Sequence, residues 1–463
     1  MFELLEQALR YAPHWTELRF HKRVATSVAV EKGEVRSAKV VTCAGVGVRV
    51  LVDGAWGFSS TNDASLSAVK KAIDEAGAIA SFMAVRKQAK ATIAERPPAV
   101  GEFVLSPADP VSAHGIEEKI ELTLRAEADV RSKSAQIVSA SSNYTEYLDE
   151  KHIVTSDGVR CRIVDAKPSF RVDAVAGKDG QLCNGRKFSG VTGGWADLFS
   201  KGTPEEFAEQ SARLAVEGLS APYADGGVFT VVLDPEVVGL LCHEAIGHTV
   251  EADFVLSGSV AANKIGHKVA SDLVTLCDAG PSELQPLAAG TIPVDDEGTA
   301  TRRTVIIENG VLRSYLHNLE TAAHFGVEPT GNARAWQYSN EPIIRMRNTY
   351  LEPRDHTVEE MIDGIKDGYY LKGAGGGQAD ANAEFMFATL EAYRIRDGKQ
   401  QELVREATIS GQAFSVLETV DAVGTDFMWA MGSGHCGKGQ LAKVDGGGPS
   451  VRCKVTVGGK QGG

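Results

Sequence analysis

The sequence lacks the features that would mark a secreted or membrane-spanning protein. It has no run of about 18 apolar residues, so no transmembrane helix is predicted. Its seven cysteines are scattered and form no CxxC pair, which favours reduced thiols over a disulfide framework. Residues 1–12 carry two early glutamates and no long apolar core, unlike a signal peptide. We therefore expect a cytoplasmic protein with no membrane partner.

Clustered positive charge is also missing. Asp and Glu number 61 against 48 Lys and Arg, which gives a net charge of -13, and no long basic run occurs. Because binding to the phosphate backbone depends on grouped basic side chains, the composition argues against a nucleic-acid partner. With 463 residues, 43% of them hydrophobic, the chain is long enough for two or three domains.

Turn and helix patterns predict the fold class. Two-residue hairpin turns are indicated at Asp53-Gly54, Asn309-Gly310 and Asp397-Gly398. Helices and hairpins mix without a regular strand–helix–strand alternation, so we predict an α+β fold. In this prediction, a mixed helix and strand N-terminal region precedes a largely antiparallel β C-terminal domain that carries the metal-binding helix described below.

Proline-rich and glycine-rich stretches predict three regions. Four prolines between residues 97 and 110 mark a connection, and APYADGG at 221–227 marks a linker. The predicted regions are an N-terminal α/β domain (1–110), a central α+β region (111–222) and a C-terminal domain (223–463).

One predicted helix carries the residue types of a metal site. Asp234 is a suitable N-cap and Pro235 suits the first turn, and an apolar helix body then leads to His243, Glu244 and His248. Two neutral imidazoles can bind zinc, and a neighbouring glutamate can take a proton from water. The plainer alternative is a pair of unrelated histidines on a helix.

The spacing of the two histidines differs from the common zinc-peptidase motif. HExxH separates its histidines by about 40° around an ideal helix, whereas the HExxxH spacing of His243 and His248 gives roughly 140°. The two rings can therefore share a metal only if the helix unwinds or bulges by one residue. Gly247, just before His248, is expected to permit this.

The local pattern leaves the third ligand open. Glu251 and Asp253 lie nearby in sequence, and Cys436 lies far downstream in a glycine-rich turn. Cations and metals stabilise a thiolate, and glycines allow a close approach. The alternative for Cys436 is an inert buried thiol.

Two charged clusters receive structural interpretations. The acidic run Asp295, Asp296 and Glu297 is expected in a solvated loop. A nearby basic group is expected to pair with acidic side chains, and the alternative is that it binds a peptide carboxylate. Its members are Arg302, Arg303, Arg334, Arg345 and Arg347.

Several segments, in this order, resemble the TldD/PmbA family of metallopeptidases, and specifically its TldD-type subunit. The clearest are CHEAIGHTVEAD (242–253), VDDEGTATRRTVIIENGVL (294–312), RMRNTYLEP (345–353) and GSGHCGKGQ (432–440). The likeness covers most of residues 230–463 and is looser before them.

The resemblance implies a site, a cofactor and partners. It implies Zn²⁺ held by His243, His248 and Cys436, with Glu244 as the general base or acid. It also implies a peptidase that digests small or unfolded peptides within a two-subunit assembly. That assembly is a homodimer or a heterodimer with a TldE-like subunit.

The sequence also allows two other functions, and it leaves open which residue stabilises the oxyanion. The chain could be a non-catalytic regulatory or scaffold subunit with a structural metal, although such a site would not need Glu244. It could also hydrolyse another amide or ester. For a donor to the developing oxyanion, the candidates are Tyr315, His317 and His435.

Overall fold

The computed structural model of the protein describes residues 1–405 and 407–459. Residues 406 and 460–463, which fall in the predicted region 223–463, lie outside the described residues. No helix in the described ranges combines the length and apolar character needed to cross a membrane.

A seven-stranded sheet forms the centre of the N-terminal part. Its strands are β1 (Trp15–Glu31), β2 (Glu34–Val52), β3 (Ala55–Thr61), β4 (Val100–Val104), β5 (Ile137–Thr155), β6 (Arg160–Lys178) and β7 (Gln181–Gly190). The order is β3-β2-β1-β5-β6-β4, with β7 also paired to β6. Strands from the predicted regions 1–110 and 111–222 thus share one sheet, and the boundary between those regions stays a prediction.

Five helices belong to this part: α1 (Phe2–Leu9), α2 (Leu66–Ala84), α3 (Ile116–Ser132), α4 (Trp195–Leu198) and α5 (Pro204–Ser220). Helix α2 buries Val69, Ala72, Ile73, Ala76 and Ala80, which recur at helical spacing and form one apolar face. That face packs against β2 and β3, while α3 and α5 cover β5 and β6.

Two larger sheets form the C-terminal part. One contains β8 (Gly227–Leu233), β15 (Asp367–Ala379), β16 (Glu384–Arg396), β17 (Lys399–Val404), β18 (Thr408–Gln412), β19 (Ala422–Val423) and β24 (Val451–Gly458). The other contains β9 (Leu276–Ala279), β10 (Thr304–Glu308), β11 (Val311–Leu312), β14 (Asn348–Leu351), β20 (Met428–Trp429) and β23 (Asp445–Gly448). Two hairpins complete this part, β12 (Ala333–Arg334) with β13 (Ile343–Ile344), and β21 (His435–Gly437) with β22 (Leu441–Lys443).

The helices of the C-terminal part are short. They are α6 (Pro235–Leu240), α7 (Ala252–Leu256), α8 (Leu319–Phe325), α9 (Val358–Asp363) and α10 (Ala413–Glu418). Among the described strands of this part, the pairs β8–β15 and β14–β23 are parallel and the other pairs are antiparallel. The predicted α+β fold with a largely antiparallel C-terminal domain is confirmed.

The hairpin turns lie where the sequence predicts them. Asp53 and Gly54 both adopt positive φ, 44° and 75°, which is the backbone of a tight turn between β2 and β3. The same pattern joins β10 to β11 at Asn309-Gly310 and β16 to β17 at Asp397-Gly398.

The acidic run at 295–297 is buried, so the prediction of a solvated loop is wrong. Asp295, Asp296 and Glu297 are 1%, 3% and 0% exposed. Asp296 accepts a hydrogen bond from Lys151 at 2.7 Å, and Glu297 accepts one from Arg49 at 2.5 Å. Both cations come from the N-terminal sheet, so partners distant in sequence neutralise the buried acids.

The arginines mostly pair as predicted. Three form ion pairs, namely Arg302–Glu328, Arg303–Glu352 and the fully buried Arg347–Asp278. Arg334 and Arg345 donate instead to main-chain carbonyls.

Candidate metal centre

Helix α6 begins as its sequence predicts. The carboxylate of Asp234 accepts the main-chain N–H of Val237 at 2.9 Å and Pro235 occupies the first turn. The other carboxylate oxygen of Asp234 accepts the N–H of Gly373 at 3.0 Å. The N-cap therefore also ties α6 to β15, and this fixes where the helix enters the core.

The helix widens at the histidines. After α6, residues Leu241–Gly247 form a π-helical turn, and His248–Val250 form a 3₁₀ turn. The N–H of His248 donates to the carbonyl of His243, which is the i to i+5 bond of a π-helix. The predicted bulge is confirmed, and it brings residues five apart onto one face.

Gly247 allows close packing because it has no Cβ, and it does not adopt an unusual backbone conformation. Its φ and ψ are -55° and -48°, which any residue adopts in a helix. A Cβ at this position would lie 1.9 Å from the sulfur of buried Met346. Gly247 lies within the predicted bulge, and the feature of glycine that matters there is its lack of a Cβ, which allows close packing against Met346.

His243, His248 and Cys436 converge. Their candidate ligand atoms all lie within 4.8 Å of one another. The Cys436 sulfur lies 3.0 Å from His248 Nε2, and the two imidazole rings stand 5.3 Å apart at 79°. Cys436 reaches the helix from strand β21.

The environment of His243 fits a metal ligand. The residue is fully buried, yet neither ring nitrogen has a hydrogen-bond partner among the described residues. Buried polar atoms are normally paired, because leaving one unpaired costs roughly 1–3 kcal/mol. Two imidazole nitrogens and a thiol are a donor set typical of zinc, so the residues present fit that ion.

Sequence comparisons place the chain in a family. It matches the PmbA/TldA metallopeptidase domain 1 over residues 16–80, the central domain over 109–219 and the C-terminal domain over 226–459. The chain belongs to the PmbA/TldD family. Its similar proteins include a metalloprotease of Methanothermobacter thermautotrophicus, 34% identical over 98% of this chain and 97% of that one. They also include a zinc metalloprotease TldD homolog of Saccharolobus solfataricus, 30% identical over 99% and 100%.

Solved structures share the fold of this PmbA/TldD chain. TldE from Thermococcus kodakarensis superposes with a TM-score of 0.77 at 18% identity, over 99% of both chains. A Thermotoga maritima protein superposes with a TM-score of 0.80 at 22% identity, over 99% of this chain and 100% of that one.

Two of the candidate ligands of the PmbA/TldD chain, Cys436 and His248, have strongly shifted pKa values. Burial alone would raise the pKa of the Cys436 thiol, but His243 and His248 lower it to about 4. Burial would lower the pKa of His248, but Cys436 and Glu251 raise it to about 10.

Glu251 and Lys438 are site residues whose roles the sequence did not reveal. Glu251 is fully buried and accepts the Nδ1 proton of His248 at 2.9 Å. Lys438, two residues after Cys436, donates to Glu251 at 3.1 Å and pairs with Asp253 at 2.7 Å. The two acidic residues considered as ligands thus lie around the His248 and Cys436 pair. The sequence signal that could have revealed the role of Glu251 is its position three residues after the candidate ligand His248.

Glu244 lies at the open side of the cluster. Its side chain is 27% exposed, and Oε2 lies 3.9 Å from His248 Nε2. A partly solvated carboxylate beside the ligand atoms can exchange protons with a water molecule there.

The three oxyanion candidates have other contacts. The Tyr315 hydroxyl donates to the carbonyl of Ala261 at 2.8 Å, and His317 Nδ1 lies 3.2 Å from the Thr321 hydroxyl. Burial lowers the pKa of His317 to about 4, so the ring is neutral at pH 7. The His435 ring packs against the rings of Tyr147 and Trp336.

Proposed function

We propose that this PmbA/TldD chain is a zinc peptidase, in which His243, His248 and Cys436 hold the ion and Glu244 is the general base. The observation that carries the proposal is the convergence of three ligand atoms within 4.8 Å beside that carboxylate. Relatives named as metalloproteases support the same reaction class.

A zinc ion bound here would supply Lewis acidity, which polarises a peptide carbonyl and lowers the pKa of water. Glu244 takes the proton from the attacking water and passes it to the leaving amine. Glu251 holds the Nδ1 proton of His248, so that Nε2 keeps its lone pair for the ion. The burial of His243 excludes water from the inner side of the cluster.

The proposed substrates are small peptides or unfolded protein segments, cleaved in the cytoplasm by a two-subunit assembly. The partner is an identical chain or a TldE-like one. The likeness to a TldE structure over 99% of both chains supports this, because chains of one fold can pack in pseudo-symmetric pairs.

The variant Glu244→Gln tests the role of the base. It keeps the size of the side chain and removes its basicity, so zinc content should stay near one per chain while peptide cleavage falls about 10²–10⁴-fold. Metal analysis and cleavage of an unstructured peptide are measured for the chain alone and with a co-purifying partner.

The matched control is Glu308→Gln, the same substitution on β10, where the side chain is 51% exposed. It should leave the rate unchanged. Equal cleavage by Glu244→Gln and the wild type would refute the assigned base. Absence of a transition metal from both would favour a regulatory or scaffold subunit.

A further inference from the structure

A small, highly charged cavity lies behind the hairpin that carries Cys436. It is enclosed between strands β5 and β6 of the N-terminal sheet and residues 441–443 of the hairpin. The centre of a water molecule can occupy about 30 Å³ of it. A single water needs about 10–15 Å³ on that measure, so the space suits one small ion or two waters.

The charges that line the cavity do not balance. Each of its three carboxylates is paired with a cation that also lines the cavity, in the pairs Asp149–Arg23, Asp296–Lys151 and Asp165–Lys167, and Asp296 lies in addition 3.5 Å from Arg19. Two further cations, Arg334 and Lys443, have no carboxylate within 4 Å among the described residues. The lining therefore carries surplus positive charge.

Lys443 is the least satisfied of these groups. It is 2% exposed, and its Nζ has no hydrogen-bond partner in the described structure. Burial lowers the pKa of Lys443 to about 7, although the nearby Asp445 opposes this shift, and the oxygens of Asp445 accept main-chain N–H groups at 2.8–2.9 Å. The ammonium form of Lys443 is therefore only partly populated at pH 7, and a negative partner in the cavity would stabilise it.

Two more unpaired nitrogens belong to Arg23, which also lines the cavity, and to His435, which lies opposite Lys443 in the hairpin. Lys443 lies directly opposite His435 in the β21–β22 hairpin, so both side chains lie on the same face of the hairpin. The His435 ring contacts Tyr147 and Trp336, and Arg23 stacks on the same Trp336 ring at 3.8 Å. His435 Nε2 and Arg23 Nη1 are both buried without a partner among the described residues.

We propose that this cavity binds one small inorganic anion of chloride size, held by Lys443 and Arg23 with His435 at its edge. Because strand side chains alternate, Cys436 points to the opposite face from His435 and Lys443. A bound anion would thus link the hairpin face that carries His435 and Lys443 to the N-terminal sheet, while the opposite face carries the Cys436 thiol. The small volume favours an inorganic ion over the carboxylate of a peptide.

Bromide, a chloride mimic with anomalous scattering, gives the first test. Crystals of the full-length, metal-loaded protein grown with bromide should show an anomalous peak within hydrogen-bond distance of Lys443 Nζ. Water alone in the cavity would overturn the proposal. A substrate carboxylate found there instead would also overturn it.

Thermal unfolding gives the second test. Raising chloride from about 5 to about 200 mM, with gluconate holding the ionic strength constant, should raise the wild-type Tm by about 2–4 °C. Lys443→Met should lose this rise and the bromide peak. The variant should still fold, because an apolar side chain replaces a buried charge.

The matched control is Lys399→Met, an exposed lysine on β17, which should keep both the rise and the peak. An equal chloride response of Lys443→Met and the wild type would also overturn the proposal. Neither readout depends on peptide cleavage, so its failure and that of the proposed peptidase function are distinguishable.

Discussion

At the scale of single residues, His248 is held from two sides. Its Nδ1 proton goes to Glu251 at 2.9 Å, and its Nε2 faces the Cys436 sulfur at 3.0 Å. A carboxylate behind a ligand histidine fixes the ring orientation and raises the basicity of the other nitrogen. Glu251 is thus a positioning residue that needs no contact with the ion.

The variant Glu251→Gln should weaken zinc binding by about 10–100-fold, because an amide holds the His248 proton less strongly than a carboxylate does. Competition with a zinc-binding dye measures the affinity directly. Asp253→Asn is the matched control, because Asp253 shares Lys438 with Glu251 but its side chain is 39% exposed. Equal affinities for Glu251→Gln and the control would mean that the carboxylate does not orient the ring.

The sequence alone predicted part of this residue-scale arrangement. His243, Glu244 and His248 stand close together in a local pattern that names their chemistry. Cys436 contacts His248 across 188 residues of chain, and its approach depends on a hairpin that no local periodicity specifies. Family resemblance, rather than spacing, singled it out, and its role as a ligand stays a prediction.

At the scale of elements, the helix that leads to the histidines packs unusually close to a strand. A Cβ on Gly239 of α6 would lie 2.8 Å from the main chain of Gly446 in β23. A Cβ on Gly446 would in turn lie 2.6 Å from the carbonyl oxygen of Gly239. Two facing glycines therefore set the depth at which the helix presents its ligands.

The variant Gly239→Ala should destabilise the protein by about 1–3 kcal/mol, because the new methyl group meets main-chain atoms that cannot rotate away. Urea unfolding measures the change. Gly77→Ala is the control of opposite sign, since Gly77 lies in α2 and a Cβ there meets nothing within 4 Å. Alanine at that site should stabilise by about 0.5–1 kcal/mol through helix propensity. Stabilisation of both variants would contradict the close-packing role of Gly239.

Elements were predicted best where a local rule decides them. The Asp-Gly and Asn-Gly turns could be predicted because these residue pairs readily adopt the positive φ that a tight hairpin turn requires. The bulge before His248 followed from the angle between two histidines on an ideal helix. The role of Gly247 was missed because it depends on Met346, which arrives from another part of the chain.

At the scale of the whole molecule, buried charge joins the two halves. Asp296 of the C-terminal part accepts hydrogen bonds from Lys151 of β5 at 2.7 and 2.9 Å and lies 3.5 Å from Arg19 of β1. The sequence suggested a solvated loop here, because the neutralising cations are remote in sequence. An acidic run can be judged buried or exposed only when its partners are known.

The variant Asp296→Asn tests this junction. Burial would raise the pKa of Asp296, but Lys151 and Arg19 lower it well below its usual value. Its contribution to stability is therefore present above about pH 3.9 and lost as the pH falls below that value. At pH 7 the variant leaves the buried Arg19 and the partly buried Lys151 without this partner, so the unfolding free energy should fall by about 3–5 kcal/mol.

Urea unfolding at pH 7 measures this loss, and Glu328→Gln provides the control. Glu328 pairs with Arg302, but their side chains are 76% and 51% exposed, so removing that pair should change stability by less than about 1 kcal/mol. If the buried pairs join the halves, the N-terminal and C-terminal parts of Asp296→Asn should also unfold at different urea concentrations. Loss of a junction weakens the cooperativity between the parts it connects. An unchanged midpoint for Asp296→Asn would show that apolar packing alone holds the halves together.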